Sequence, residues 1–359
     1  MIGESKWDLD TPILLLDLDI MQRNVARMTG RFRETGVGWR PHTKAIKTPA
    51  LAHRLLRAGA FGVTCAKLGE AEVMAASGVQ DILIANQIVG RHKIERLVAL
   101  LGQADVVVAV DDEDNVRELG AAADAAGREL RVVVEVNTGM ERAGRQPGEP
   151  TLDLARLVAD TPGLRFAGVM GWEGHTVKLD PASKQNGVAT AVGQLTATAD
   201  ECRKAGLAVD IVSCGGTGTY AYTARLPGVT EIQAGGGIFC DVYYHDMMHV
   251  PHEFALTVMT TVTSRPTPTR VICDAGKKTM SSDAAAPRPL VRQAVTSVSL
   301  SAEHARIELG EPSDLRVGDR VEWIVGYSDT TTVLHDEIYA TCNDRVEAIW
   351  PILGRGKLR

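Results

Sequence analysis

The feature that most constrains the fold of this chain is a repeated alternation of short apolar runs with longer helical stretches. Eight runs typical of strands follow one another: Val37–Arg40, Phe61–Cys65, Ile82–Asn86, Asp105–Val110, Leu130–Val136, Phe166–Gly171, Asp210–Cys214 and Glu231–Ala234. Segments typical of helices lie between them: Thr48–Ala58, Leu68–Ala76, Arg91–Leu101, Glu113–Ala126, Leu152–Asp160 and Gly187–Ala205. Strands that alternate with helices form parallel βαβ units. Eight such units fit a closed barrel, so we predict an α/β fold with a (β/α)8 TIM barrel.

The alternative arrangement of these units is a doubly wound open sheet. Such a sheet rarely needs eight strands, and its dinucleotide-binding form carries a G-x-G-x-x-G motif after the first strand. No motif of this kind follows Val37–Arg40. The barrel is therefore the better interpretation of the pattern.

The pattern changes after about residue 255, where strand-like runs follow one another without helices. These runs are Ala255–Val262, Arg270–Cys273, Ala294–Leu300, Ala305–Leu309, Asp319–Val325, Val333–Ala340 and Arg345–Trp350. Turn residues separate them, which indicates a second, antiparallel β domain. The earlier strand Pro12–Leu18 could cross over to join it. The predicted bounds are 25–254 for the barrel, and 1–24 with 255–359 for the β domain.

Composition and charge exclude several functional classes. The formal net charge is -6 and no basic run is present, which argues against a nucleic-acid partner. No apolar run approaches the length that spans a bilayer, so no membrane association is expected. Residues 1–10 are polar and mixed in charge, unlike a signal peptide. The six cysteines lack C-x-x-C spacing, which favours free thiols in a reducing cytoplasm over disulfides or a zinc site.

Candidate functional residues follow the predicted strands. In a β/α barrel the reactive groups lie at the carboxyl ends of the strands, and a phosphate is often held after the seventh and eighth. Lys44 follows the first strand, where it is well placed to hold an aldehyde cofactor as a Schiff base. Glycine-rich loops at 215–219 and 235–237 follow the last two strands. Their backbone N–H groups, with the hydroxyls of Thr217 and Thr219, could bind a phosphate.

Each of these residues also has a simpler interpretation. The glycine loops could be tight turns of the barrel, and most lysines are merely solvated. For Lys44, desolvation at the barrel mouth and the neighbouring Arg40 would favour the neutral amine. Lys47 competes with it, but its context looks like the start of a helix. His175 could be a buried core histidine, although the nearby Gly171, Trp172 and Gly174, in a predicted loop at the barrel mouth, favour a ligand-facing position.

Several motifs together resemble a known family. They are Thr11-Pro12, Arg40-Pro41-His42-Thr43-Lys44, Thr138-Gly139-Met140-Glu141-Arg142-Ala143-Gly144, Gly174-His175, Gly215-Gly216-Thr217-Gly218-Thr219, Asp274-Ala275-Gly276-Lys277-Lys278, Leu334-His335-Asp336-Glu337 and Ala348-Ile349-Trp350-Pro351-Ile352. Over nearly its whole length the chain resembles the D-threonine aldolase and D-serine dehydratase family. These are pyridoxal-phosphate enzymes with the alanine racemase fold.

The resemblance implies the site residues and the partners. Lys44 would carry the cofactor as a Schiff base, and Arg142 and His175 would lie near its ring or the substrate, with roles that are not separated. The phosphate would be held by Thr217, Gly218, Thr219, Gly235 and Gly236. The substrate would be a small D-amino acid. The protein would be a homodimer in which the β domain of the neighbouring subunit helps to close the active site.

One position departs from the family pattern. The family usually binds a divalent metal (Mn, Mg or Zn) in the C-terminal domain, through a histidine followed two residues later by aspartate or cysteine. Here Asp329 matches, but Tyr327 stands where the histidine is expected. A phenol is a poorer ligand than an imidazole at neutral pH, although a carboxylate with waters can still hold Mg²⁺ or Mn²⁺. Tyr327 could instead exchange a proton with the substrate hydroxyl.

The departure favours one reaction over another. Pyridoxal phosphate stabilises a carbanion at Cα, and the protein selects the bond that breaks. A dehydratase must expel hydroxide, which benefits from a metal. A retro-aldol cleavage, which converts a D-3-hydroxy amino acid to glycine and an aldehyde, depends less on a metal. We therefore expect an aldolase, with His175 as the first candidate for the base on the β-hydroxyl and Tyr327 as the second.

Other functions stay open at this point. A D-serine or 3-hydroxy-D-aspartate dehydratase is the main alternative, followed by an amino-acid racemase. A non-catalytic pyridoxal-phosphate carrier would have a single barrel, so the predicted β domain argues against it. A barrel enzyme acting on a sugar phosphate would use the same glycine loops. A yellow protein that borohydride bleaches would exclude that last possibility.

Overall fold

The computed structural model describes all residues, Met1–Arg359. The chain forms two compact units. The unit that we call the β unit comprises Met1–Ala26, Ala45–Thr48 and Gly236–Arg355. The unit that we call the barrel unit comprises Arg27–Lys44, Pro49–Gly235 and Gly356–Arg359. Residues 236–254, which the sequence pattern places in the barrel, are thus grouped with the β unit.

Strands and helices alternate along the first two thirds of the chain. They are β1 (Ile13–Asp17), α1 (Leu18–Thr35), β2 (Gly38–Trp39), α2 (Pro49–Arg57), β3 (Val63–Cys65), α3 (Leu68–Ala76), β4 (Asp81–Gln87), α4 (Arg91–Leu100), β5 (Asp105–Val110), α5 (Glu113–Ala125), β6 (Leu130–Val136), α6 (Glu149–Asp160), β7 (Leu164–Gly171), α7 (Pro181–Lys204), β8 (Ile211–Cys214), α8 (Tyr220–Thr223) and β9 (Glu231–Ile232).

Strands dominate the remainder. They are β10 (Leu256–Thr267), β11 (Arg270–Cys273), β12 (Arg288–Pro289), β13 (Val295–Leu300), β14 (Ala305–Leu309), β15 (Arg320–Ile324), then a short helix α9 (Ser328–Thr331), β16 (Glu337–Cys342) and β17 (Arg345–Pro351). No helix of the chain combines the length and the apolar character that crossing a membrane requires.

The barrel unit contains eight parallel strands in the order β2-β9-β8-β7-β6-β5-β4-β3. The first and last strands of this order are joined by a parallel bridge between His42 and Thr64. The Thr43 N–H donates to the Thr64 carbonyl at 2.7 Å, which closes the ring. The predicted (β/α)8 barrel is therefore confirmed.

The strand sequences explain why this sheet is buried. β5 and β6 are nearly continuous runs of valine, as expected for parallel strands covered on both faces. One cluster of the buried core consists of Leu83, Val107, Ala109, Val133, Ala167, Met170 and Ile211. Helix α5 begins at a side-chain cap, since the Asp112 carboxylate accepts the N–H groups of Asp114 and Asn115.

A buried ion network joins three strands of the barrel. Arg40 directly follows β2 and is only 1% exposed. Its Nε donates to Glu231 Oε1 of β9 at 3.0 Å, and its Nη1 pairs with Asp81 of β4. The cation thus connects the beginning and the end of the barrel sequence.

Helix α1 is not among the elements predicted from the sequence. Its buried residues recur at helical spacing: Leu18, Met21, Val25, Met28 and Phe32. This spacing is the signature of an amphipathic helix. The pattern was therefore available in the sequence, although polar residues separate the apolar positions and lower the mean hydropathy of the segment.

The β unit is built mainly from antiparallel strands. Its main sheet runs β13-β14-β11-β10-β1-β16-β17, and β15 pairs with β10 and β12. β1 pairs antiparallel with β10 and parallel with β16. The antiparallel β domain and the crossover of the first strand into it are therefore confirmed. The predicted strand Val333–Ala340 is wrong in its first part, because Thr332–Leu334 form a 3₁₀ turn before β16 begins.

Candidate functional site

Lys44 lies in the segment after β2, and its side chain is exposed. Its backbone N–H donates to His42 Nδ1 at 3.3 Å. The neighbouring Arg40 is buried and paired with Glu231 and Asp81. The expected desolvation of Lys44 is therefore wrong, and the charge of Arg40 is balanced by two carboxylates. What the structure offers is an accessible primary amine at the carboxyl end of a barrel strand.

Gly235 brings the loop after β9 against the segment that carries Lys44. A Cβ atom at position 235 would lie 2.1 Å from the His42 carbonyl oxygen. The two backbones touch here, so only glycine fits. The His42 N–H also donates to the Gln233 carbonyl at 3.0 Å. The last barrel loop and the Lys44 segment are thus fixed to each other.

Glu173 organises the loop after β8. This residue follows β7, is 1% exposed and accepts the Thr219 hydroxyl at 2.7 Å and the Thr223 hydroxyl at 2.6 Å. Its second oxygen accepts the Gly215 N–H at 3.3 Å. The hydroxyl of Thr219, expected to face a phosphate, is therefore engaged by Glu173. Its contribution to the loop is structural in this arrangement.

Three buried glycines present backbone N–H groups that donate to no other group of the chain: Gly218, Gly235 and Gly236. Thr217, 5% exposed, lies in the same loop as Gly218. Unpaired buried N–H groups are rare in folded proteins unless a ligand or water accepts them. Clustered glycine amides are a common way to bind an anion. These loops therefore fit a phosphate group.

The loop after β7 presents His175. The histidine is exposed, and a Cβ added at Gly139 would lie 3.1 Å from its ring. Trp172 fills the space beside two glycines, since a Cβ at Gly174 or Gly216 would approach its indole within 2.1 and 2.4 Å. The loops after β6, β7 and β8 are therefore packed together. They place an imidazole at the same end of the barrel as Lys44.

Arg142 lies near a buried carboxylate at the end of β6. Its Nη2 is 3.7 Å from Glu135 Oε1, and its side chain is 56% exposed. Gln87 donates to the other Glu135 oxygen at 2.6 Å. Burial raises the pKa of Glu135, against the opposing effects of Gln87 and Arg142. Arg142 is therefore held loosely, with guanidinium donors left for a ligand.

Tyr327 and Asp329 lie in the β unit, where a second tyrosine joins them. Tyr327 Oη donates to Asp329 Oδ2 at 2.8 Å, and Tyr244 Oη donates to Asp329 Oδ1 at 3.2 Å. Burial, followed by the charge of Asp329, raises the pKa of both phenols. A Cβ at Gly236 would lie 2.6 Å from the Tyr244 oxygen. The tyrosine pair therefore borders the second glycine loop.

Asp241 connects the two segments that carry this cluster. It is fully buried and accepts the Tyr244 N–H at 2.8 Å and the Ser328 N–H at 2.7 Å. Burial raises the pKa of Asp241 to about 7, although both hydrogen bonds oppose the shift. The carboxyl group thus fixes the turn at 243–247 to helix α9.

The sequence did not predict roles for three residues: Glu173, Tyr244 and Asp241. Glu173 could have been suspected, because it directly follows a barrel strand as the other candidates do. Asp241 and Tyr244 follow the second glycine loop closely in sequence. Their link to Asp329 depends on the fold of the β unit, which no local pattern reveals.

Comparison with known proteins gives consistent matches over the whole chain. Residues 16–241 match the family model of the alanine racemase N-terminal domain, and residues 255–341 match that of a serine dehydratase domain. The 3-hydroxy-D-aspartate aldolase of Paracoccus denitrificans (strain Pd 1222) is 33% identical, over 99% of this chain and 94% of its own length.

Solved structures show the same similarity. The D-threonine aldolase from Filomicrobium marinum is 36% identical, with a TM-score of 0.96 over 100% of this chain and 99% of that chain. The D-threo-3-hydroxyaspartate dehydratase from Delftia sp. HT23 is 28% identical, with a TM-score of 0.88 over 98% of this chain and 99% of that chain.

Proposed function

This chain belongs to the D-threonine aldolase and D-serine dehydratase family of the alanine racemase fold, and on that basis we propose that it is a pyridoxal-phosphate-dependent aldolase. It cleaves D-3-hydroxy amino acids such as D-threonine by a retro-aldol reaction to glycine and an aldehyde. The observation that carries the proposal is that the chain presents both an exposed amine on Lys44 and backbone amides on Gly218, Gly235 and Gly236 that donate to no other group.

The chain's own residues fit pyridoxal phosphate. The Lys44 amine would hold the aldehyde carbon, and the amides of the two glycine loops, with Thr217, would hold the phosphate. Thr219 would contribute indirectly, because its hydroxyl donates to Glu173 and this hydrogen bond holds the loop after β8 in place. When bound, the cofactor supplies an electron sink for the bond broken at Cα. Arg142 would contribute a cation near the ring or the substrate carboxylate.

The remaining step is removal of the proton from the substrate β-hydroxyl. We assign this role to His175, because its exposed imidazole lies in a loop at the carboxyl end of β7, as a general base requires. Tyr327 is the second candidate. A neutral phenol is the weaker base at neutral pH, and its own proton is engaged by Asp329.

Dehydration is the competing function, supported by the similarity to the Delftia dehydratase. The two reactions differ in their products. Purified protein supplied with pyridoxal phosphate should convert D-threonine to glycine and acetaldehyde, detected by mass spectrometry and by alcohol dehydrogenase coupling. Formation of 2-oxobutyrate and ammonia instead would contradict the aldolase proposal and establish a dehydratase. A parallel assay with D-3-hydroxyaspartate shows which of the two compounds, this one or D-threonine, is the better substrate.

We also propose a cytoplasmic homodimer with active sites completed by the neighbouring subunit. The family resemblance supports the dimer. Six free cysteines, five of them buried, support a reducing compartment. Sedimentation equilibrium should give twice the chain mass of 38.5 kDa. A mass of one chain at micromolar concentration would contradict the dimer.

A further inference from the structure

The carboxylate of Asp329 is occupied on both oxygens by phenol hydroxyl groups. Tyr327 donates to Oδ2 at 2.8 Å and Tyr244 donates to Oδ1 at 3.2 Å. The rings of the two tyrosines pack edge to face, with centroids 5.6 Å apart. The hydroxyls and the carboxylate thus form one compact set, which we call the phenol–carboxylate set.

This donor set does not suit a divalent cation. Mn²⁺, Mg²⁺ and Zn²⁺ take carboxylate, carbonyl, imidazole or water ligands, whereas a phenol that keeps its proton is a poor one. Both phenol hydroxyls donate to Asp329, so their protons point at the two carboxylate oxygens that a cation would need. A cation on Asp329 would have to displace at least one of these hydrogen bonds.

Two other candidate ligands of the β unit, Asp241 and His335, are already engaged in hydrogen bonds. No cluster of three or more histidine, cysteine, aspartate or glutamate side chains suited to a metal occurs in the chain. Asp241, the nearest carboxyl group along the hydrogen-bonded network, is engaged by two backbone N–H groups. His335 is also engaged, with Nε2 2.9 Å from the Thr279 carbonyl oxygen.

Given the retro-aldol function proposed above, we propose that the phenol–carboxylate set of Tyr244, Asp329 and Tyr327 replaces a divalent cation in this chain. Cleavage of the Cα–Cβ bond then needs no metal. Both phenol protons are donated to Asp329, so the set offers the phenol oxygens as hydrogen-bond acceptors for the substrate hydroxyl where a cation would supply charge. Within the β unit, Tyr244 of this set packs against Gly236.

The test is a Mn²⁺ titration of the chelator-treated holoenzyme, followed by electron paramagnetic resonance of the free ion. The original protein should leave the signal of free Mn²⁺ unchanged. The variant Tyr327→His restores an imidazole two residues before the carboxylate and should bind Mn²⁺ at least ~10-fold more tightly. Tyr327→Phe is the matched control, since it removes the same hydroxyl without adding a ligand.

Activity on D-threonine gives the second measurement. Chelation should change the rate of the original protein less than about twofold, and Tyr327→Phe should lower kcat about 10- to 100-fold, as loss of one or two functional hydrogen bonds does. One Mn²⁺ bound tightly per chain, lost in Asp329→Ala, would overturn the proposal, as would inactivation by chelator that Mn²⁺ reverses. The titration does not depend on turnover. If no glycine forms under any condition, the aldolase function fails while the metal question is still decided.

Discussion

At the scale of single residues, the unpaired amides of Gly218, Gly235 and Gly236 are the clearest sign of a ligand. A buried donor without a partner costs about 1–3 kcal/mol. A phosphate that accepts all three would offset this cost. Binding would therefore stabilise the folded protein as well as prepare the site for chemistry.

Gly235 should not tolerate a side chain. In Gly235→Ala the new methyl group would lie 2.1 Å from the His42 carbonyl oxygen, so the backbone must shift. We expect a loss of about 1–3 kcal/mol of unfolding free energy and weaker cofactor binding. Urea unfolding and pyridoxal phosphate titration measure both. Gly193→Ala, with no atom within 4 Å of the new Cβ, is the control and should be slightly stabilising.

Lys44 should be the residue that bonds to the cofactor. In Lys44→Ala the visible absorbance of bound pyridoxal phosphate should disappear, because no other amine is expected to reach the aldehyde. Borohydride reduction and peptide mapping of the original protein should place the label on Lys44. A label on Lys47 would refute the assignment. Lys93→Ala, an exposed lysine in α4, should keep the absorbance unchanged.

At the scale of elements, the loop after β8 depends on an acid that comes from the preceding loop. In Glu173→Gln, an NH2 group that donates but cannot accept a hydrogen bond replaces one carboxylate oxygen. With one to two hydrogen bonds lost, pyridoxal phosphate should bind about 10- to 100-fold more weakly. Glu129→Gln removes an exposed partner of Arg165 and should leave affinity unchanged. Equal affinities in all three proteins would contradict the positioning role of Glu173.

The link between the turn at 243–247 and α9 should make stability pH-dependent. The pKa of Asp241 is raised by burial from 3.8 to about 7, so the folded protein keeps a proton that the unfolded chain releases. The retained proton stabilises the folded state fully below pH 3.8. This stabilisation, roughly 4 kcal/mol at most, is lost as pH rises through about 7. The unfolding free energy of Asp241→Asn should lack this fall between pH 4 and 8. If the original protein and Asp241→Asn showed the same pH dependence, Asp241 would not be its cause.

Most elements could be predicted from the sequence, for identifiable reasons. β5 and β6 are rich in valine, so their predicted bounds, Asp105–Val110 and Leu130–Val136, match the structure. Lys44 and the glycine loops could be placed because barrel chemistry occurs at strand ends. The hydrogen bonds of Glu173 could not be predicted, because its partner Thr223 lies fifty residues later and only the folded barrel brings them together.

At the scale of the whole molecule, closure of the barrel relies on a buried cation. Arg40→Met would leave Glu231, 3% exposed, without its partner. Breaking a buried pair in this way should cost about 3–5 kcal/mol of unfolding free energy. Adding Glu231→Gln should recover part of the loss. Arg117→Met, which removes an exposed pair with Asp114, should cost less than about 1 kcal/mol. Urea unfolding compares the three, and a loss no larger than that of Arg117→Met would contradict the role of Arg40.

The pairing of β1 also affects how the protein is made. β1 leaves the ribosome early, but its partners β10 and β16 begin at Leu256 and Glu337. At about 5–20 residues per second, translation from β1 to β10 takes on the order of 12–48 s. During that time the buried leucines at 14, 15 and 16 have no strand to pair with. The nascent chain therefore carries an exposed apolar strand, the kind of segment that chaperones bind, until most of the protein has been synthesised.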